Sequence, residues 1–207
     1  RLERYSRQDA GLIEDFAIPD SQLVAKVNCA RMISPTGRSV DIHIENGFVG
    51  MVDRERFDEY LRVRASRAGA HRYAGTFVAV ERDEAGPRVV FRDKASGARM
   101  TLGARIVIGA DGARSDVARA EVPGGDRIPY VIAYHEIVRA PLNDQSYDPA
   151  RCDVVYDGRI SPDFYGWVFP HGETLSVGMG TGVDGVDLKR ATADLRAASG
   201  LSGCETI

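Results

Sequence analysis

The densest set of residues able to do chemistry lies in Arg105–Ser115, RIVIGADGARS. Apolar Ile106-Val107-Ile108 stops at Gly109-Ala110-Asp111-Gly112, and Ala113-Arg114-Ser115 leads into a helical pattern. This order predicts a buried strand that delivers a glycine-flanked carboxylate to a sheet edge, where α/β proteins present polar groups to ligands. Glycine allows tight backbone and close ligand approach. Asp111 would accept hydrogen bonds, Arg114 would meet a phosphate in fork geometry, and Ser115 would cap the next helix. An ordinary βα turn with a capping serine accounts for the same stretch, and on these residues alone both readings stand.

Other groups are candidates for binding. Asp53 precedes the helical sequence RERFDEYLRVRASRA, which places Arg54 at a helix start beside outward-pointing N–H groups, a ready anion site. In Pro162–Pro170, PDFYGWVFP, period-two spacing puts Tyr165, Trp167 and Phe169 on one face and Phe164 and Val168 on the other. Such a strand is either core or the wall of a pocket for a large apolar ligand. Gly180, Gly182 and Gly185 fit G-x-G-x-x-G, with Glu205 downstream. Thr174 and Ser176 interrupt the strand before it and Gly185 falls ahead of the next helix, so this reads as a glycine-rich strand end. His43 and His135 read as strand residues, not catalysts. The three cysteines and four histidines are scattered, without C-x-x-C, H-E-x-x-H or G-x-S-x-G. No disulfide framework, metal site, metalloprotease or serine-hydrolase chemistry is expected, and a reducing compartment is the default.

The bulk composition narrows the classes further. A net charge of −3 without a dense Lys/Arg block argues against nucleic acid and against a polybasic membrane anchor. With 43% hydrophobic and 28% charged residues, the profile is that of a soluble globular chain with ample core. No apolar run approaches the roughly 20 residues of a membrane span, and nothing resembles a signal peptide. The chain opens on Arg1 without an initiator Met, which suggests a piece of a longer protein.

The elements that must position these residues follow from pattern. An apolar cluster of Leu12, Ile13 and Phe16 ends at Pro19-Asp20. Leu23–Ile33 predicts one strand, Ser34-Pro35-Thr36-Gly37 a turn, and Val40, Ile42 and Ile44 a second strand with one buried face, together a β-hairpin. Phe48–Val52 is a short strand. The helix after Asp53 carries Phe57, Tyr60-Leu61, Ala65 and Ala68 as an apolar stripe and ends at Gly69. Thr76–Val80, Arg88–Phe91 and Met100–Leu102 form a β-meander leading into the Asp111 turn. Val131–Val138 has apolar residues on both faces and reads as a strand buried on two sides. Asp157-Gly158 is a hairpin-type turn, Thr174–Gly180 a strand, and Asp187–Ala198 a helix.

Three stretches, Arg54-x-x-Phe57-Asp58-x-x-Leu61, Gly109–Ser115 and Pro162–Pro170, in this order and spacing resemble the geranylgeranyl reductases, a branch of the FAD-dependent enzymes related to aromatic hydroxylases. YDGRISPDFYGWVFPHGETLSVGMGTG is most similar to the (bacterio)chlorophyll-pathway branch, and the likeness extends to Ile207. The resemblance implies an α/β (α+β) fold: part of a glutathione-reductase-type FAD/NAD(P)-binding domain with a β-meander at 45–127, and an antiparallel β-rich substrate domain from 1–44 and 128–207. It implies saturation of geranylgeranyl double bonds, on a prenylated tetrapyrrole or a prenyl diphosphate, with NADPH as donor to FAD. By position, Arg54 would contact the phosphate region of FAD and Val78 would approach its adenine end through backbone. Asp111, Gly112 and Arg114 would support the pyrophosphate and the NADPH approach. Tyr165, Trp167, Phe169 and Pro170 would line the substrate region.

One departure from the family pattern is large. Neither the N-terminal G-x-G-x-x-G that holds the FAD pyrophosphate nor the downstream Gly-Asp segment occurs here. We therefore expect an internal piece of a protein roughly twice as long, inactive and flavin-free when isolated. An aromatic- or quinone-ring monooxygenase, and a non-catalytic fragment that binds an apolar ligand, are the alternatives. The resemblance places the protein in the cytoplasm, with peripheral association to a photosynthetic membrane because its substrate lives in lipid.

Overall fold

The computed structural model describes residues 8–207; the polar segment ahead of residue 8 lies outside the described residues. The chain forms two compact units, Arg1–Tyr60 with Val131–Ile207, and Leu61–Tyr130.

In the first unit, α1 (Gln8–Asp15) precedes β1 (Leu23–Val27), which pairs antiparallel with β4 (Val49–Val52). The predicted strand Leu23–Ile33 is two strands. It breaks at Asn28, and β2 (Cys29–Ile33) joins a different, six-stranded sheet with β3 (Ser39–His43), β8 (Ile132–Arg139), β9 (Arg151–Val155), β10 (Gly166–His171) and β11 (Thr174–Thr181). The spatial order is β3-β2-β9-β10-β11-β8. All neighbours are antiparallel except β2 and β9, which run parallel and so depart from the purely antiparallel expectation. The β2–β3 hairpin forms around the predicted turn, with Gly37 at φ +77°. Its second strand has no buried face: Val40 is 59% and Ile42 50% exposed. Being an edge strand, β3 is not covered merely because its residues alternate.

The core of this unit lies on one side of the sheet. α4 (Leu188–Ala198), capped by Asp187 Oδ1 accepting the Arg190 N–H at 3.0 Å, turns Ala191, Thr192 and Leu195 onto it. They bury Val138, Val168, Leu175, Val177 and Met179. Gly166 is glycine because a Cβ there would stand 2.9 Å from Leu195 Cδ2 and 3.0 Å from Ile160 Cγ2. Arg196 then ties down the C-terminal segment, donating from Nη1 to Glu136 Oε2 at 2.6 Å and Thr206 Oγ1 at 2.8 Å, and from Nη2 to the Cys204 carbonyl at 2.6 Å. In β8 only Val138 is buried, so the two-sided burial expected of that strand is not found; Ile132 is exposed. The Asp157-Gly158 turn does not close a tight hairpin. Asp157 accepts the Arg159 N–H at 2.9 Å, and a long connection follows before β10.

The second unit contains the three-stranded antiparallel meander β5 (Gly75–Asp83), β6 (Gly86–Asp93) and β7 (Arg99–Gly103), as the turns predict, followed by α3 (Asp116–Glu121). Val90 and Phe91 of β6 are its buried apolar residues. The expected buried strand Ile106-Val107-Ile108 is not formed: the segment has no strand structure, and Ile106 and Ile108 are 77% and 83% exposed. Extended backbone becomes a strand only when a neighbour takes its hydrogen bonds, and among the described residues none does. The helix after Asp53 is α2 (Arg54–Arg67). Its apolar stripe exists but none of its residues is buried. No helix among the described residues is long and apolar enough to cross a membrane.

Candidate functional site

Within the second unit the Asp111 turn is built as a clamp. The Ser115 hydroxyl donates to Asp111 Oδ1, and Ser115 Oγ accepts the Ala118 N–H at 2.8 Å, the N-cap bond of α3. Asp111 Oδ2 accepts the Val117 N–H at 3.1 Å. The Ser115 hydroxyl, followed by the Val117 amide, holds the Asp111 carboxyl below the ordinary carboxylate range, so it stays ionised. Gly109 must lack a side chain, since a Cβ would stand 2.9 Å from Val117 Cβ. Gly112 differs. Its φ is +86° and nothing lies within 4 Å of where a Cβ would point, so that side of the residue is open, while its carbonyl accepts the Ser115 N–H at 3.1 Å. The Arg114 guanidinium sits 5.4 Å from the Tyr130 ring centroid and donates from Nη2 to the Tyr130 hydroxyl at 3.3 Å. Tyr130 holds this cation in place and was not singled out from sequence; an aromatic well downstream of an arginine gives no periodic signal. A cleft of about 410 Å³ opens beside the turn, lined by Val80, Ile106, Gly109, Val117, Ala118 and Glu121 among others. Val78 is the residue skipped by the β5–β6 register and stands half-exposed, so its backbone lies outside the ladder.

Arg54 opens α2, as expected, but its guanidinium is engaged. Nε and Nη2 donate to Asp58 Oδ1 and Oδ2 at 2.8 and 2.9 Å, one turn on. This pairing raises the arginine above its ordinary range and lessens its pull on an incoming anion. Asp53 Oδ1 accepts the Glu55 N–H at 3.0 Å at the helix start.

In the first unit, β10 carries the aromatic wall. Tyr165, Trp167 and Phe169 line up with ring centroids 6.3 and 6.2 Å apart. Phe164, expected on the other face, instead stacks on Tyr165 at 4.2 Å, because it precedes β10 and is not bound by its alternation; Tyr156 meets Tyr165 edge-on at 6.0 Å. Pro170 does not join them. It falls on the opposite face with Gly166 and Val168 and is fully buried beside Leu175. The structure thus brings three of the four expected wall residues together.

What lies beneath the wall is the part that sequence reasoning missed. The cross-strand partners of Phe169 and Trp167 on β11 are Ser176 and Gly178, and Gly180 follows on the same face. A Cβ on Gly178 would stand 2.6 Å from Trp167 Cζ2, and one on Gly180 would stand 3.0 Å from Phe164 Cδ1. Small residues at every second position of β11, opposite bulky ones at every second position of β10, form a seat for flat rings. That paired alternation was the readable signal. Gly180 and Gly182 therefore belong to an antiparallel strand end. Asp163 closes it, accepting from the Thr181 hydroxyl and, at 2.9 Å, from the Gly182 N–H. This rules out a dinucleotide fingerprint at 180–185, which requires a parallel strand and a helix start.

The β2–β3 register also collects Cys29, Asp41 and His43, their ligand atoms within 4.8 Å of one another. Asp41 is already held by Arg31, at 2.6 and 2.8 Å through its two oxygens.

The second unit thus sets an exposed glycine and a positioned arginine at the turn into α3. The chain belongs to the FAD binding domain family, whose profile matches residues 9–128. Its relatives include geranylgeranyl diphosphate reductases. It is 63% identical over 196 residues to the geranylgeranyl diphosphate reductase of Rhodobacter capsulatus, covering 95% of this chain and 50% of that protein. It is 36% identical to the chloroplastic geranylgeranyl diphosphate reductase of Oryza sativa, with 95% and 45% covered. In fold it matches a geranylgeranyl bacteriochlorophyll reductase-like protein from Thermoplasma acidophilum with a TM-score of 0.81 at 23% identity, over 95% of this chain and 52% of that one. The chain spans about half the length of the curated relatives it matches.

Proposed function

We propose that this chain is part of an FAD-dependent reductase that saturates double bonds of a geranylgeranyl chain, carried on (bacterio)chlorophyll or as the diphosphate, with NADPH as electron donor. The observation that carries this reading is the similarity to a geranylgeranyl diphosphate reductase along 95% of the chain. The aromatic wall of β10 supports it, because a long isoprenoid is held by apolar area and flat rings rather than by polar contacts.

FAD fits the residues present. The Cβ side of Gly112 is open, the Val78 backbone is free of the strand ladder, and Arg114 is a cation held ready by Tyr130. These residues would hold the cofactor, while the Asp111–Ser115 clamp keeps the turn in shape. FAD when bound supplies the two-electron chemistry. Tyr165, Trp167 and Phe169 orient the prenyl chain and exclude water from it. In this reading 45–127 is the cofactor-side part, 1–44 and 128–207 form the substrate-side part, and the enzyme meets its lipid-borne substrate at the membrane surface.

The test assays this chain within its complete protein, with geranylgeranyl diphosphate and NADPH. Gain of two hydrogens per double bond, seen by mass spectrometry, supports the reading. Gain of oxygen under air, on an aromatic or quinone substrate, would replace it with a monooxygenase.

A further inference from the structure

Beneath the aromatic wall a single hydroxyl serves two rings. Trp167 Nε1–H donates to Ser176 Oγ at 3.1 Å, and His135 Nδ1 lies 2.9 Å from the same oxygen. The three residues come from adjacent strands: Trp167 and His135 are both register partners of Gly178, and Ser176 stands two positions along β11 on that face. The imidazole and indole centroids are 6.5 Å apart. Gly178 makes room for both, since a Cβ there would lie 2.5 Å from His135 Cβ and 2.6 Å from Trp167 Cζ2.

Only one of the two bonds has a fixed direction. Indole N–H is a donor only, so Ser176 Oγ accepts from it. The serine oxygen keeps its own proton and a second lone pair, and one or the other serves His135 Nδ1, which accepts in one tautomer and donates in the other. Ser176 is 6% exposed and His135 is exposed, so the junction is buried while its imidazole end meets solvent.

We propose that Ser176 is the positioning residue of the prenyl-facing wall: its one hydroxyl fixes the plane of the Trp167 indole and holds the His135 imidazole beside that ring. This rests on reading the aromatic face as the prenyl wall. The other titratable side chains on this face are Cys152 of β9, His171 and Arg139 towards one end of the strands, and Tyr165 and Tyr156 towards the other. β11 contributes none to it, and Glu136 and Tyr134 project to the opposite face.

Trp167 is the chain's sole tryptophan, so its emission reports this junction directly. The experiment measures emission, anisotropy and acrylamide quenching for the wild-type chain, Ser176→Ala and His135→Phe, with far-UV circular dichroism confirming the fold of each. Ser176→Ala should lower the anisotropy, raise the quenching constant at least twofold and weaken geranylgeranyl diphosphate binding, followed by the same emission, about three- to tenfold. His135→Phe leaves the Trp167–Ser176 bond in place and should keep the wild-type anisotropy. Wild-type anisotropy and quenching in Ser176→Ala, or an equal loss of order in His135→Phe, would overturn the proposal. A wild-type emission indifferent to geranylgeranyl diphosphate, with the variant differences intact, would instead overturn the prenyl reading and leave the hold of Ser176 on the indole established.

Discussion

Replacing Gly178 with alanine is the sharpest probe of how the wall is seated. The new Cβ would lie 2.5 Å from the Tyr134 carbonyl oxygen and from His135 Cβ, and 2.6 Å from Trp167 Cζ2. Ordinary carbon contacts need about 3.5 Å or more, so each neighbour must give roughly 1 Å. The indole can tilt. The Tyr134 carbonyl cannot, because it belongs to β8, and relief there means parting the β8–β11 ladder. Overpacking that moves backbone falls at the upper end of its range, about 3 kcal/mol. Gly→Ala in an extended conformation returns about 0.7 kcal/mol by restricting the unfolded chain, leaving a net loss of about 2 kcal/mol. Gly158→Ala is the control, as nothing lies within 4 Å of its would-be Cβ and its φ is not positive. Urea unfolding followed by far-UV circular dichroism should place the Gly178→Ala midpoint roughly 1 M below that of Gly158→Ala. The emission of Trp167 should shift as the ring is displaced. Equal midpoints and an unchanged spectrum would refute the seating of Trp167 on Gly178.

Other expectations follow from the same geometry. Leu195→Ala empties a fully buried position between α4 and the sheet and should cost about 2–5 kcal/mol by the same urea assay. Ser115→Ala removes both the α3 cap and the Asp111 clamp. NMR titration should then show the Asp111 carboxyl returning upward towards 3.8, with faster amide exchange at Val117 and Ala118. In the wild type that carboxyl's folded value is depressed, so its contribution to stability is present above 3.8 and is lost as pH falls through the folded value. Burial pushes the Cys152 thiol from 9.0 up to about 11, so it should resist maleimide at pH 8 until urea unfolds the chain; labelling followed by mass spectrometry checks this. Because that folded value is raised, the thiol's contribution is intact below pH 9.0 and declines between there and about 11. In the complete enzyme, Asp111→Ala should release flavin before it slows turnover of the flavin-loaded fraction, which absorbance of the purified protein would show.

Local pattern was enough for the elements whose partners lie close in sequence. The β5–β7 meander, the turn around Gly37, the Asp187 cap and the Ser115 cap all depend on contacts a few residues away, and their turn and cap residues say so. The aromatic face of β10 was legible for the same reason, since alternation within one strand decides which rings share a side. Its floor was not. Ser176 and Gly178 acquire meaning only from the β10–β11 register, and His135 only from the next strand over.

Ile106-Val107-Ile108 shows the limit from the other direction. Its apolar run predicts burial because such side chains leave water readily. Side-chain composition, however, reports only half of what makes a strand; the other half is a second backbone to take the N–H and C=O groups. Here the run has no strand partner among the described residues, with both isoleucines exposed, while the turn that follows it is fully formed. That turn stands because its bonds are local: Ser115 to Asp111, Asp111 to Val117, Ser115 to Ala118. The hydrogen bonds that shape the turn thus all lie within residues 111–118, and Gly109 packs directly on Val117. Perturbing Ser115 should disturb the turn more than shortening Ile106 or Ile108 to valine.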